Sequence, residues 1–149
     1  MKIISHRGNL TGPNPITENT PEQIDFCISL GYDVEIDVWL INGNFYLGHD
    51  NPVYQKIPFT YLIQRKDNLW IHCKNQDALF ALNNTGLNYF WHQEDSVTLT
   101  SQEFIWAYPG KHDMYYRNLV VLDFSSDINF ELYKKFGVYA VCADYIEVL

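Results

Sequence analysis

The stretch Gly31–Asp50, GYDVEIDVWLINGNFYLGHD, carries the reading of the fold. Asp33 to Leu40 alternates acidic and branched apolar residues, which is the period of a β-strand. Asn42-Gly43 is a strong two-residue hairpin signal, and Asn44 to Leu47 is the returning strand. Glu35 and Asp37 sit two apart, so their side chains project to one face of the strand. Two carboxylates so placed repel each other unless a cation lies between them, and hard oxygen ligands suit Mg²⁺ or Ca²⁺. Solvated alternates of a half-exposed strand would give the same pattern, although Val34, Ile36 and Val38 argue for a buried one. Strict pairing through the Asn42-Gly43 turn would set Ile36, not Asp37, opposite His49. His49 can therefore face the carboxylates only if the return strand is bulged or already ended, and Gly48 is the residue best able to allow that.

Outward from this hairpin, short β-like runs alternate with helical segments. Lys2 to Ser5 is a first strand, followed by a Gly-, Pro- and Asn-rich loop. Thr20 caps a helix with Pro21 at its first position and Gln23 at capping-box spacing. That helix should bury Ile24, Cys27 or Ile28, and Leu30, and Gly31 should end it. Helices are expected over Pro58 to Arg65, Gln76 to Leu82 and Asn129 to Phe136. Strands are expected over Asn68 to Cys73, Asn88 to Trp91, Phe104 to Tyr108, Leu119 to Asp123 and Tyr139 to Ala143. Strand followed by helix, repeated, points to βα units with about seven parallel strands and a hairpin excursion after the second. A complete (β/α)₈ barrel needs roughly 250 residues. The expected fold class is therefore α/β, a single domain over 1–149, built as a compact truncated TIM-type barrel; an open doubly wound sheet satisfies the same pattern.

Composition narrows the function classes. A 149-residue chain with 47% hydrophobic and 16% aromatic residues is globular. Its net charge of −8, with ten Lys and Arg and no basic block, disfavours nucleic acid as a partner. The three cysteines, Cys27, Cys73 and Cys142, show no CxxC spacing and read as reduced thiols of a cytoplasmic protein. The N-terminus is too short in apolar residues for a signal-peptide core, and no run reaches membrane-spanning length. A soluble protein without stable membrane association is expected.

Ionisable residues gather at the C-terminal ends of the expected strands. His6 and Arg7 end the first, Glu35 and Asp37 the second, His72 and Lys74 the third; Asp123 and Asp144 end later ones. In parallel α/β folds that edge is where ligands bind. Lys74 follows the core-like run Leu69-Trp70-Ile71, which makes it a candidate phosphate contact. His92, His112 and Glu94 read as ordinary packed or solvated groups.

These residues carry a resemblance. His6-Arg7-Gly8, Glu18-Asn19-Thr20, Glu35-Ile36-Asp37-Val38 and Gly48-His49-Asp50 resemble, in order and approximate spacing, the glycerophosphodiester phosphodiesterase family of the phospholipase-C-like phosphodiesterase barrels. Trp106 with Tyr108-Pro109-Gly110, and Ala143-Asp144-Tyr145, resemble its later strands more weakly. The strong part spans His6 to Asp50; the remainder agrees in rhythm.

The resemblance implies a metal-dependent hydrolase of lipid metabolism that cleaves a small glycerophosphodiester-like substrate. His6 and His49 would be the acid–base pair, and Arg7 and Lys74 would bind the phosphate. Glu35 and Asp37 would hold the metal, with Glu18, Asp50, Trp106 and Asp144 in support. His72 stands where the family pattern has an acidic ligand. A nitrogen ligand there keeps Mg²⁺ or Ca²⁺ as the first expectation and admits Mn²⁺ or Zn²⁺. A degenerate barrel that binds phosphorylated ligands without turnover stays open as an alternative. So do a purely structural protein and an unrelated metallohydrolase built on His72, His92 and Glu94.

Overall fold

Local signals in the chain set each element before any packing is considered. The computed structural model describes residues 1–51 and 55–147. Strand β1 (Lys2–His6) leads through the Pro- and Gly-rich loop to helix α1 (Pro21–Ser29). The Thr20 side chain accepts from the Gln23 N–H, and Pro21 occupies the first turn, where its missing donor costs nothing. Ile24 and Cys27 face the core, as the helical period requires. Leu30, expected on the same buried side, is 43% exposed because it is the C-cap residue, turned away as the helix ends.

Strand β2 (Asp33–Ile41) is buried without interruption from Asp33 to Val38, so both of its faces are covered. Asn42 (φ 50°) and Gly43 (φ 77°) both adopt positive φ, the requirement of the hairpin turn that suits sheet twist. Strand β3 (Asn44–Leu47) returns antiparallel, with Val38 opposite Leu47. Strand β4 (Gln55–Ile57) pairs onto β3 and was not expected, since only Ile57 of its three residues is buried.

Helix α2 (Phe59–Gln64), strand β5 (Leu69–Cys73) and helix α3 (Gln76–Ala81) follow. The Asn75 side chain caps α3 by accepting from the Ala78 N–H. The same side chain accepts from the Leu40 N–H and donates to the Leu40 carbonyl, tying the helix start to the end of β2. Strands β6 (Tyr89–Phe90), β7 (Val97–Leu99), β8 (Ile105–Ala107) and β9 (Leu119–Leu122) lead to helix α4 (Phe130–Phe136) and strand β10 (Ala140–Ala143). Asn129 caps α4, and Gly137 closes it in the left-handed conformation.

Parallel pairing runs continuously in the order β6-β5-β2-β1-β10-β9-β8. The antiparallel β3–β4 hairpin hangs on β2, and β7 pairs antiparallel with β8. The expected α/β class and the hairpin excursion are present. The expectation of about seven parallel strands with that one excursion is corrected in one respect: the sheet is more mixed, because the short β4 and β7 also pair antiparallel at its margins.

The sheet curls into a partial barrel. The Phe90 ring of β6 lies 4.6 Å from the Trp106 ring of β8, and Trp70 of β5 lies 5.8 Å from Trp106. These rings form an inner cluster with Ile4, Leu122 and Cys142, while the alternate residues, such as Val34, Ile71 and Val121, pack outward with the helices. Between β6 and the β7–β8 margin, Ser101 donates its N–H to the Tyr89 carbonyl (2.7 Å), and the Tyr89 N–H donates to Ser101 Oγ (3.0 Å).

Candidate active site

At the C-terminal edge of β1, β2 and β5 the inward face carries His6, Glu35, Asp37 and His72. Register sets His6 beside Glu35 and Asp37 beside His72. A cavity of about 360 Å³ opens there, lined by His6, Arg7, Glu35, His49, His72 and Lys74 among others. Seven of the sequence candidates, Trp106 included, thus share one cavity, although they come from separate segments.

Glu35, Asp37 and His72 form a buried group whose ligand atoms all lie within 4.8 Å of one another. His72 Nε2 lies 3.0 Å from the His92 carbonyl. A carbonyl only accepts, so Nε2 carries a proton and donates it. Nδ1 then faces Asp37 Oδ1 at 3.2 Å and Glu35 Oε1 at 3.9 Å. An imidazole fixed through its outer N–H by a carbonyl, with the other nitrogen aimed at carboxylates, is the arrangement typical of a metal-ligating histidine.

Two buried oxygens of this group, Glu35 Oε2 and Asp37 Oδ1, have no hydrogen-bond partner among the described residues. Buried carboxylate oxygens without donors are costly, and a divalent cation would satisfy both. The charge balance agrees. Burial, then the Asp37 charge, push the Glu35 carboxyl above its ordinary value. Burial also opposes charge on Asp37, but His72 when protonated at Nδ1 as well, with Arg7 and Lys74, outweighs it and holds that carboxyl well below the usual range; a cation on Nδ1 would take the place of that second proton. One carboxylate is thus compensated by the protein and the other is not. The donor set of two carboxylates and one imidazole fits a divalent ion.

Each candidate acid–base histidine carries its own carboxylate. His6 Nδ1 lies 2.7 Å from Asp144 Oδ1, and His49 Nδ1 lies 2.7 Å from Asp50 Oδ1. Both contacts leave Nε2 as the nitrogen available for proton transfer. The His6 pair is part-buried, with Asp144 itself buried, and is further braced: Asn9 donates to Asp144 Oδ1 (2.8 Å) and to Glu18 Oε1 (2.9 Å). Burial disfavours charge on His6, yet Asp144 and Glu35 together raise it above the ordinary histidine value. The His49 pair is looser, with the Asp50 side chain 81% exposed.

His49 reaches the cavity because β3 ends at Leu47. Gly48 takes φ 145°, a region open to glycine. Its N–H donates to the Asp37 carbonyl (3.1 Å), and its carbonyl accepts from Trp39 Nε1 (2.6 Å). The condition read from strict pairing is met by a strand that stops rather than by a bulge.

Arg7 adopts φ 56°, strained for a residue with a side chain. Its guanidinium lies 3.4 Å from Asp37 and 3.5 Å from Glu18. Lys74 Nζ is 3.9 Å from Asp37 Oδ1. Glu18 supports Arg7 and Asn9 from a neighbouring cavity that Arg7 and His49 also line. Trp106 belongs to the aromatic floor, and Asp50 meets the site through His49 and lines the neighbouring cavity.

No site role was read from the sequence for Asn9, Asn19, Tyr108 or Phe124, and His92 entered only through the alternative metallohydrolase. Asn19 (φ 55°) donates to Asp37 Oδ2 (2.9 Å) and accepts from the Asp37 N–H (2.9 Å), clamping the metal-type carboxylate from the first loop. Its place inside Glu18-Asn19-Thr20 was the available signal. His92, set aside as an ordinary polar group, is buried against Tyr108, with ring centroids 3.7 Å apart. Glu94 is exposed, so it adds nothing to a His72–His92 cluster. No protein-family model matches the chain, and no curated protein matches it.

Proposed function

We propose that this chain is a divalent-metal phosphodiesterase acting on a small glycerophosphodiester-like substrate, with its curled sheet serving as a trimmed TIM-type barrel. The observation that carries the reading is the meeting, in one cavity, of the Glu35/Asp37/His72 group with two histidines each backed by a carboxylate. Phosphodiester cleavage needs those parts: a base for the nucleophile, an acid for the leaving oxygen, and positive charge at the non-bridging oxygens.

Glu35, Asp37 and His72 would hold the metal, Mg²⁺ or Ca²⁺ first and Mn²⁺ or Zn²⁺ as the imidazole admits, and the ion would neutralise charge on the phosphate. Asp144 and Asp50 fix the tautomers of His6 and His49. One imidazole takes the proton of a substrate hydroxyl neighbouring the phosphate as that oxygen bonds to phosphorus. The other imidazole, protonated, gives its proton to the departing oxygen as the old P–O bond breaks. The products are a free alcohol and a cyclic phosphodiester, which water can open by the reverse proton movements. Arg7 and Lys74 orient the phosphate.

A metal-by-substrate screen tests the proposal, using glycerophosphodiesters, cyclic phosphates and a chromogenic diester with Mg²⁺, Ca²⁺, Mn²⁺ or Zn²⁺. Turnover that needs a divalent ion and disappears in His6→Ala is expected. Absence of turnover under every condition, with binding of a phosphate ester retained, would establish the alternative of a binding barrel. His72, a neutral side chain where the resembled family has an acidic metal ligand, favours this second reading.

A further inference from the structure

The cavity has a second half that the proposed chemistry leaves unused. β1, β2 and β5 bring the ionisable groups to one side. From β6, β8, β9 and the residues just beyond them, the other side receives Phe90, Trp106, Tyr108 and Phe124. Phe90 and Trp106 are buried and form the floor, while Tyr108 and Phe124 are part-exposed at the wall. Tyr108 stacks on His92, which also lines the cavity, and Phe124 stacks on His6 with centroids 4.5 Å apart. A phosphate and a cation require none of these rings. Clustered aromatic faces in a concave site reward a flat ring over a saturated group of the same size, through offset and edge contacts. The volume of about 360 Å³ admits one ring together with a phosphate.

We infer that one ester group of the substrate carries an aromatic ring, which packs against Tyr108 and Phe124 while the phosphate lies between His6 and His49. This rests on the phosphodiesterase reading of the same site, and it names the substrate class: a diester with a ring-bearing alcohol.

The test compares two ligands of equal shape class, methyl benzylphosphonate and methyl cyclohexylmethylphosphonate. Both keep the single charge of a diester and replace the ring-side ester bond by a P–C bond. Calorimetric titration of the full chain with Mg²⁺ should show the benzyl ligand binding about fivefold tighter. That preference should fall towards one in Tyr108→Leu and in Phe124→Leu. In the unsubstituted protein, nuclear Overhauser contacts should join the benzyl protons to the Tyr108 and Phe124 rings, a readout independent of how the variants fold. Equal affinities, failure of both ligands to bind, a preference that survives both substitutions, or contacts only to other residues would each overturn the inference. A benzyl preference without turnover of any diester would uphold the aromatic half and sink the phosphodiesterase reading alone.

Discussion

His6 and His49 are held with unequal firmness, and the consequences of substitution follow from that. The Asp144 partner of His6 is buried and receives a second hydrogen bond from Asn9, whereas Asp50 is exposed beside His49. Under the proposed chemistry, His6→Ala and His49→Ala should each lower kcat/KM by about 10²–10⁴-fold. Asp144→Asn should cost much more than Asp50→Asn, because solvent can replace Asp50 as a partner; steady-state rates on one diester compare the two.

Acid stability gives a second residue-scale outcome. Burial alone would raise the Asp144 carboxyl, but the His6 and Asn9 contacts outweigh it and hold it below the ordinary value. Its stabilisation is therefore complete above the unfolded value of about 4 and drains away as pH falls through the lower folded value. The sign for His6 is opposite: stabilisation is complete below the unfolded value of about 6.5 and is lost as pH rises through the higher folded value. Melting temperature followed against pH should show an acid limb that is shallower in Asp144→Asn.

At the scale of elements, the β2–β3 hairpin is the part on which the site depends. Asn42-Gly43 sets the turn, but it is the stop at Leu47 and the positive φ of Gly48 that deliver His49. Gly48→Ala should destabilise by about 1–3 kcal/mol through backbone strain. It should also cut kcat by more than that stability loss would explain, since activity can be assayed well below the melting temperature. Trp39→Phe removes the donor to the Gly48 carbonyl, and its effect should fall on kcat with little change in melting. Helix α1 makes a contrasting case, because it lies outside the chemistry. Ile24→Ala should cost about 2–5 kcal/mol by opening a cavity at a fully buried position, while kcat at low temperature stays near that of the parent.

Elements with strong local signals were legible in the sequence: the Thr20 cap, the Asn42-Gly43 turn, the apolar run of β9 and the Gly137 stop. β4 and β7 were not. Each has three residues, mostly exposed, and becomes a strand only by pairing with a neighbour already in place.

For the whole molecule, the decisive measurement is coupling between metal and fold. A divalent ion that binds the folded chain alone stabilises it by about 2.7 kcal/mol at a hundredfold excess over Kd. Melting temperature should rise with added Mg²⁺ or Mn²⁺, and the rise should vanish in Glu35→Gln and in Asp37→Asn. An unchanged melting curve for the parent chain would remove the metal from the account. Among the described residues, no helix is long and apolar enough to cross a membrane.

The sequence by itself determined which residues could do chemistry. A strand period places Glu35 and Asp37 on one face, and ionisable groups after apolar runs mark the strand ends, because those are local properties of a chain with period two. Only the tertiary structure decided how they meet. Long-range pairing brings His6 beside Glu35 and Asp37 beside His72, Asp144 reaches back to His6, and Asn19 clamps Asp37 from a distant loop. The aromatic half of the cavity exists because β6 and β8 curl together around Phe90 and Trp106. Such contacts between residues far apart in sequence leave no local periodicity, so no window of the chain announces them.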